Sequence, residues 1–296
     1  MGKHAYLILA HKNFGQLKTL LTLLDDPRND IFVHVDAKAK SFNPEDFKGV
    51  CACSKLSFLP HRRKVNWGGV SIMRAELDLL EAATENGNYD YYHLLSGLDL
   101  PIKSQDKIHA FFTENEGKEF LNYWPMKKST FSRFRYYAPF PEGEGKFYTH
   151  TLNNIVKGLQ IVSGIRINKG IDFQFGSQWF SITDSLARYA LTQRENLEKI
   201  FRHTTTCDEI FMATLVWHSP YRDNLYIGEK VKLQSDVDNS NMRFIDWTRG
   251  ESVRHPWTFR SHDLELLKNV PHLWARKFDE KIDADIIHKV AEMVKA

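Results

Sequence analysis

Over the first 105 residues, compact apolar runs alternate with stretches in which apolar residues recur every three or four positions. Ala5 to Ala10 and Asp30 to Asp36 (DIFVHVD) are short apolar or β-branched runs that predict strands. Between them Phe14, Leu17, Leu20, Leu21 and Leu24 fall on one face of a helix. A third run, Leu56 to Leu59, stops at Pro60; Val70, Met73, Leu77 and Leu80 form a second helical stripe, and Tyr91 to Leu95 reads as the next strand. Such alternation predicts an α/β fold with a mostly parallel central sheet flanked by helices. Residues 125–150, rich in aromatics, Pro, Gly, Lys and Arg, read as an irregular segment or lid.

In a sheet of this kind ligands bind beyond the carboxyl ends of the strands, here His11 to Asn13, Asp36 to Lys38 and Ser96 to Asp99. These segments are expected to form one rim of a nucleotide cleft. No linker is long or polar enough to divide the chain, so a single domain over residues 1–296 is expected, with a nucleotide-binding half (1–105) and an acceptor-binding and catalytic half (106–296).

Composition narrows the partners. A net charge of +3 with 26% charged residues is close to balance and argues against a dedicated nucleic-acid binder. The 42% hydrophobic content supplies a core. Ala5 to Ala10 is too short for a bilayer span or a signal core, which predicts a cytoplasmic protein, with peripheral membrane association left open. Cys51, Cys53 and Cys207 are odd in number and lack CxxC spacing, so neither a disulfide framework nor a structural zinc site is expected.

The candidate chemistry lies in the last 120 residues. Asp208 and Glu209 follow Thr204-Thr205-Thr206-Cys207 and precede Ile210, Phe211, Leu215 and Trp217, the apolar side of a short helix. From the pattern alone helix capping is the favoured reading, with a general base that takes a proton from a hydroxyl as the other. Arg254 and Lys277 lie within aromatic segments, ESVRHPWTF and HLWARKFDEK, and read either as surface charges or as cations held against a diphosphate. A cation about 4 Å from a phosphate is worth roughly 4 kcal/mol at an effective dielectric near 20.

GSQWFSIT (176–183) combines a turn, two aromatics including Trp179, and Thr183 as a cap for a following helix; it reads as a buried corner or as part of a site. Trp67 and Trp247 are core residues or sugar platforms. Where metal-dependent transferases of this architecture carry Asp-x-Asp, the chain has only Asp99. A second such triplet, Asp236-Val237-Asp238, reads as a solvated loop. No metal ligand set is therefore expected.

With these segments assembled, the chain resembles the glycosyltransferase 14 family, which includes the core-2 and I-branching β-1,6-N-acetylglucosaminyltransferases and the protein O-xylosyltransferases. AYLILAHKN, FVHVDAKA, VNWGGVSIMRAELDLL, YHLLSGLDLPIKS, GSQWFSIT, CDEIFMATL, MRFIDW, ESVRHPWTF and HLWARKFD occur in family order. The resemblance implies a GT-A type fold, a UDP-sugar donor, inversion at the anomeric carbon and no metal. It implies Glu209 as general base and Arg254 and Lys277 on the diphosphate. It further implies a nucleoside pocket at His11, Asp36 and Trp67, with Trp247 against the sugar.

The chain departs from the family in having Cys207 where core-2 enzymes have Pro, and Gln178 where xylosyltransferases carry an Asp. It also lacks the anchor and disulfides of the animal enzymes, which implies a bacterial-type member of the kind linked to surface polysaccharide assembly.

The expected reaction is transfer of a sugar, N-acetylglucosamine first, from a UDP-sugar to an oligosaccharide or lipid-linked glycan. The sugar is expected to reach toward Asp99, Ser177 and Gln178, and the acceptor to lie over Trp247 and Trp179. The alternatives are UDP-xylose or another UDP-hexose as donor, or a noncatalytic sugar- or nucleic-acid-binding protein using residues 130–137.

Overall fold

The alternation in the first hundred residues becomes four parallel strands. β1 (His4–Ala10) leads through α1 (Phe14–Leu24) to β2 (Asn29–Val35), β3 (Lys55–Phe58) follows, and α2 (Val70–Asn86) returns the chain to β4 (Tyr91–Ser96). The chain continues through β5 (Asp99–Pro101), α3 (Gln105–Glu114), α4 (Lys128–Arg135), α5 (Phe147–Ser163), β6 (Ser181–Thr183), α6 (Asp184–Thr192) and α7 (Arg194–Phe201). It ends with α8 (Phe211–Trp217), β7 (Arg243–Ile245), α9 (Leu264–Asn269), β8 (Trp274–Arg276) and α10 (Ala284–Lys295). This computed structural model describes residues 2–142, 147–228, 239–249 and 255–295.

The central sheet has the order β3-β2-β1-β4-β6, with only β6 antiparallel. It is covered on both faces, as the strand pattern requires. Along β1, Ala5 and Leu7 point to the side packed by α2 and α6, while Tyr6, Ile8 and Ala10 point to the side packed by α1, α3 and α10. Each fully buried aliphatic side chain of this kind contributes roughly 1.5–3 kcal/mol. The α/β fold with a mostly parallel sheet flanked by helices is therefore present as expected.

A second sheet, β5-β8-β7, sits just after β4, and it pairs Asp99 with Arg276 antiparallel. The far end of the chain is thereby carried to the end of β4. Residues 125–150 depart from the irregular segment expected of them, since they contain α4 and the start of α5. The helical period of α4 is hidden because only Phe131 and Phe134 carry it inward, packing on Phe173.

Candidate active site

Beyond the ends of β1, β2 and β4 opens a cavity of about 320 Å³, with His11, Asp36, Trp67, Ser96, Gln178, Trp179, Asp208 and Arg276 among its lining residues. His11 and Asp36 are there because each is the first residue after its strand, and the Asp36 amide donates to Ala10 O at 2.9 Å. Asp36 is buried and its Oδ1 accepts from the amides of Lys38 (2.8 Å) and Val65 (3.3 Å), which fixes the carboxylate toward the cavity. Burial, then Lys12, lowers the His11 pKa, so its ring is neutral at neutral pH. Trp67 sits on a turn where Gly68 takes φ +71°, a conformation that favours glycine. Its ring is 73% exposed, an uncommon state for an indole unless something covers it in use.

Of the paired acids only Asp208 lines the cavity; its neighbour Glu209 does not. Asp208 and Glu209 lie in the turn before α8, whose first residue is Phe211 and whose N-cap, Ile210, makes no side-chain capping bond. Helix capping therefore does not account for them. Asp208 is buried, and its Oδ1 has no hydrogen-bond partner among the described residues. Burial pushes both carboxyls up, and Asp208 pushes Glu209 further. A third acid, Glu76, is fully buried on α2; its Oε1 accepts from Gln178 Nε2 at 2.7 Å, and its carboxyl is raised by burial and then by Asp208. Gln178 is thus tied by its amide nitrogen, and among the described residues no hydrogen bond is made to its carbonyl oxygen. Glu76 escaped the sequence reading; the available signal was an acid in register with Met73, Leu77 and Leu80 on a buried helical face.

GSQWFSIT is held tightly. A Cβ on Gly176 would lie 2.0 Å from Asn122 O, so only glycine fits, and Gly176 N donates to Glu209 O at 3.0 Å. Ser177 Oγ accepts from Trp179 N at 3.2 Å and shapes the turn without lining the cavity. Thr183 caps α6 by accepting from Leu186 N, as its pattern predicted.

Two cationic side chains line the cavity, Lys38 beside Asp36 and, on the opposite wall, Arg276. Arg276 is held from behind. Its Nη1 lies 2.7 Å from Asp99 Oδ1, and its guanidinium sits 4.4 Å from the Trp179 ring centroid. Asp99 is buried, with Oδ2 accepting from Ser96 N at 2.8 Å. Asp99 does not line the cavity, and both of its oxygens accept hydrogen bonds from within the protein, so it positions Arg276. Arg276 was missed because it reads as one of two adjacent basic residues; the β5–β8 register selects it.

Lys277 is partly buried, its pKa lowered by burial and then by Arg276 and Lys12. No hydrogen bond or ion pair joins its ammonium to another described residue, and it does not line the cavity. Trp247 is not brought to the cavity either; its indole nitrogen is buried without a partner among the described residues. Arg254, Asp236 and Asp238 lie outside the described residues.

The arrangement offers an exposed ring, an acceptor for a base N–H, a guanidinium in fixed position, and paired acids with raised pKa. Such sites suit a nucleotide whose phosphates leave as a proton is removed nearby.

Xylosyltransferase 2 of Rattus norvegicus is 24% identical over 306 residues, covering 96% of this chain and 32% of that protein. The xylosyltransferase sqv-6 of Caenorhabditis elegans is 25% identical over 314 residues, covering 97% and 36% respectively. The chain thus spans about a third of the length of these curated relatives. Among solved structures, apo mouse xyloside xylosyltransferase 1 aligns with a TM-score of 0.40 and 9% identity, over 93% of this chain and 97% of that one. The model of the family described as "Branch: Core-2/I-Branching enzyme" matches residues 4–270, and the chain belongs to this family of glycosyltransferases.

Proposed function

We propose that the chain is an inverting, metal-independent glycosyltransferase that moves a sugar from a UDP-sugar to a hydroxyl of a glycan. The nucleoside lies at the rim of His11, Asp36 and Trp67, with Asp36 as acceptor for the base and the indole as stacking face. The diphosphate lies toward Arg276 and Lys277, with Arg254 as a further cation. Glu209 takes the proton of the acceptor hydroxyl while its oxygen bonds to the anomeric carbon. The bond from that carbon to the phosphate oxygen breaks on the opposite face, and UDP departs with the electron pair.

One observation supports this reading most: Arg276, fixed by Asp99 and stacked on Trp179, lines the same cavity as Asp208, whose neighbour is Glu209. A cation in fixed position stabilises a leaving diphosphate at no cost in reorganisation at the moment of reaction. Raised carboxyl pKa values suit a base that must hold a proton after taking it. N-acetylglucosamine is the donor sugar implied by the core-2 branch of the family. Xylose is the second reading, favoured by the names of the two relatives above. Oligosaccharide and lipid-linked glycans are the proposed acceptors.

Among the described residues no helix is long and apolar enough to cross a membrane, in keeping with a proposed site of action at the cytoplasmic face. The test is UDP release from a panel including UDP-N-acetylglucosamine and UDP-xylose, without acceptor and in excess chelator. Release from one donor is expected. Silence across the panel, or activity that returns only with manganese, overturns the reading.

A further inference from the structure

Helix α5 is built inside out. Its inward face is polar: Gln160 is buried and bonds to both N and O of Tyr137 (2.9 and 3.0 Å), and Asn153 does the same with Phe140 (3.1 and 3.0 Å). Its outward face is apolar, with Tyr148 56%, Leu152 40%, Ile155 52%, Leu159 66% and Val162 89% exposed. The spacing of four, three, four and three residues is that of a single helical stripe, which a surface helix ordinarily turns toward the core. Ile165, just past the helix, extends it at 57% exposure.

Charge identifies what covers this stripe. Residues 147–171 contain no Asp or Glu, whereas they contain Lys157, Arg166 and Lys169. Lys157 turns inward to Ser132 Oγ at 2.8 Å, but Arg166 and Lys169 are exposed and form no ion pair with any described residue. Lys127 and Lys128, at the start of α4, are exposed as well. We propose that the outer face of α5, with Arg166 and Lys169 at its edge, is a docking surface for an anionic lipid membrane. An apolar stripe enters the acyl boundary while cations meet the headgroups, which is the arrangement of interfacial amphipathic helices. A second copy of the chain fits poorly. It would set this acid-free segment against itself, with no carboxylate to answer Arg166 and Lys169.

The inner face of the same helix, through His150, Asn153 and Lys157, lines a groove of about 400 Å³ that also contains Trp67. A chain seated through α5 therefore holds that groove, and the cavity beside it, close to the lipid surface.

The test is flotation of the full chain with vesicles of phosphatidylcholine alone and with about one-third phosphatidylglycerol added. The expected result is a bound fraction about tenfold higher on the anionic vesicles, falling as salt shortens the screening length below about 8 Å. Leu159→Ser with Val162→Ser, and separately Arg166→Glu with Lys169→Glu, should each lower binding about fivefold or more. Neither pair should change the melting temperature or UDP release. Wild-type protein that ignores both vesicles, binds both equally, or floats unchanged in either double variant overturns the proposal. So does a lipid-free dimer that the serine pair dissociates, since that assigns the stripe to a second copy.

Discussion

The cavity has two walls of different construction. On one side His11 and Asp36 stand where β1 and β2 stop, their places set by strand length and by a hydrogen bond from Asp36 N to Ala10 O. On the other, Gln178, Asp208 and Arg276 come from three separate segments joined by long-range contacts: Gln178 to Glu76 on α2, Gly176 N to Glu209 O, and Arg276 to Asp99. In the proposed reading the strand-end wall recognises the nucleoside through a platform that the whole sheet supports. The loop wall holds the charges to which the proposed reaction is assigned, and each depends on one or two specific partners. Substitution of the acids on the loop wall should therefore cost rate, substitution of Arg276 both rate and affinity for UDP, and substitution on the strand-end wall affinity alone.

The most severe loss on the loop wall is expected from Glu209→Gln. An amide cannot take the proton, and transfer should fall by about 10² to 10⁴ while UDP still binds. Single-turnover transfer beside UDP titration separates the two effects. If Asp208→Asn loses that much and Glu209→Gln does not, the base is Asp208.

Arg276→Ala should come next, slowing turnover by about 10² to 10³ through loss of stabilisation of the leaving diphosphate. It also leaves Asp99 buried without its cation, a loss of about 3–5 kcal/mol in denaturant unfolding. Adding Asp99→Asn should restore part of the stability and none of the rate. Recovery of both would reduce Arg276 to a structural ion pair.

A smaller effect concerns pH. Burial and then Asp208 raise the Glu209 carboxyl, and the base works only when deprotonated, so activity should fall as pH drops through a value well above the ordinary Glu pKa of about 4.3. Asp208→Asn removes the like charge and should move that acid limb to lower pH in a kcat/KM profile. An unmoved limb would assign the titration to another group.

Smallest is Trp67→Ala on the strand-end wall. Loss of a stacking face is worth about 1–3 kcal/mol. KM for the donor should rise roughly tenfold with kcat and melting temperature little changed. A large fall in kcat would place the indole among the reacting groups.

Legibility followed the same division. The βαβ alternation was readable because a strand buried on both faces shows a continuous apolar run and a helix shows a period. The strand-end segments that begin at His11 and Asp36 then followed from topology, and the resemblance singled out those two residues. Gly176 and Thr183 were also readable, since a tight turn and a cap leave local signatures. Arg276 and Glu76 were not readable, because nothing in WARK or RAEL says which charge will meet Asp99 or Gln178; that is decided by pairing between segments about a hundred or more residues apart. The stripe on α5 has a clear helical period, yet the sequence alone does not say which way it faces.

The decisive experiment is calorimetric titration of UDP in excess chelator into wild type, Glu209→Gln and Arg276→Ala. UDP is expected to bind without metal, equally to wild type and Glu209→Gln, and at least about tenfold more weakly to Arg276→Ala. Binding that vanishes in chelator, or that is indifferent to Arg276, would contradict the assignment of the diphosphate to a fixed guanidinium.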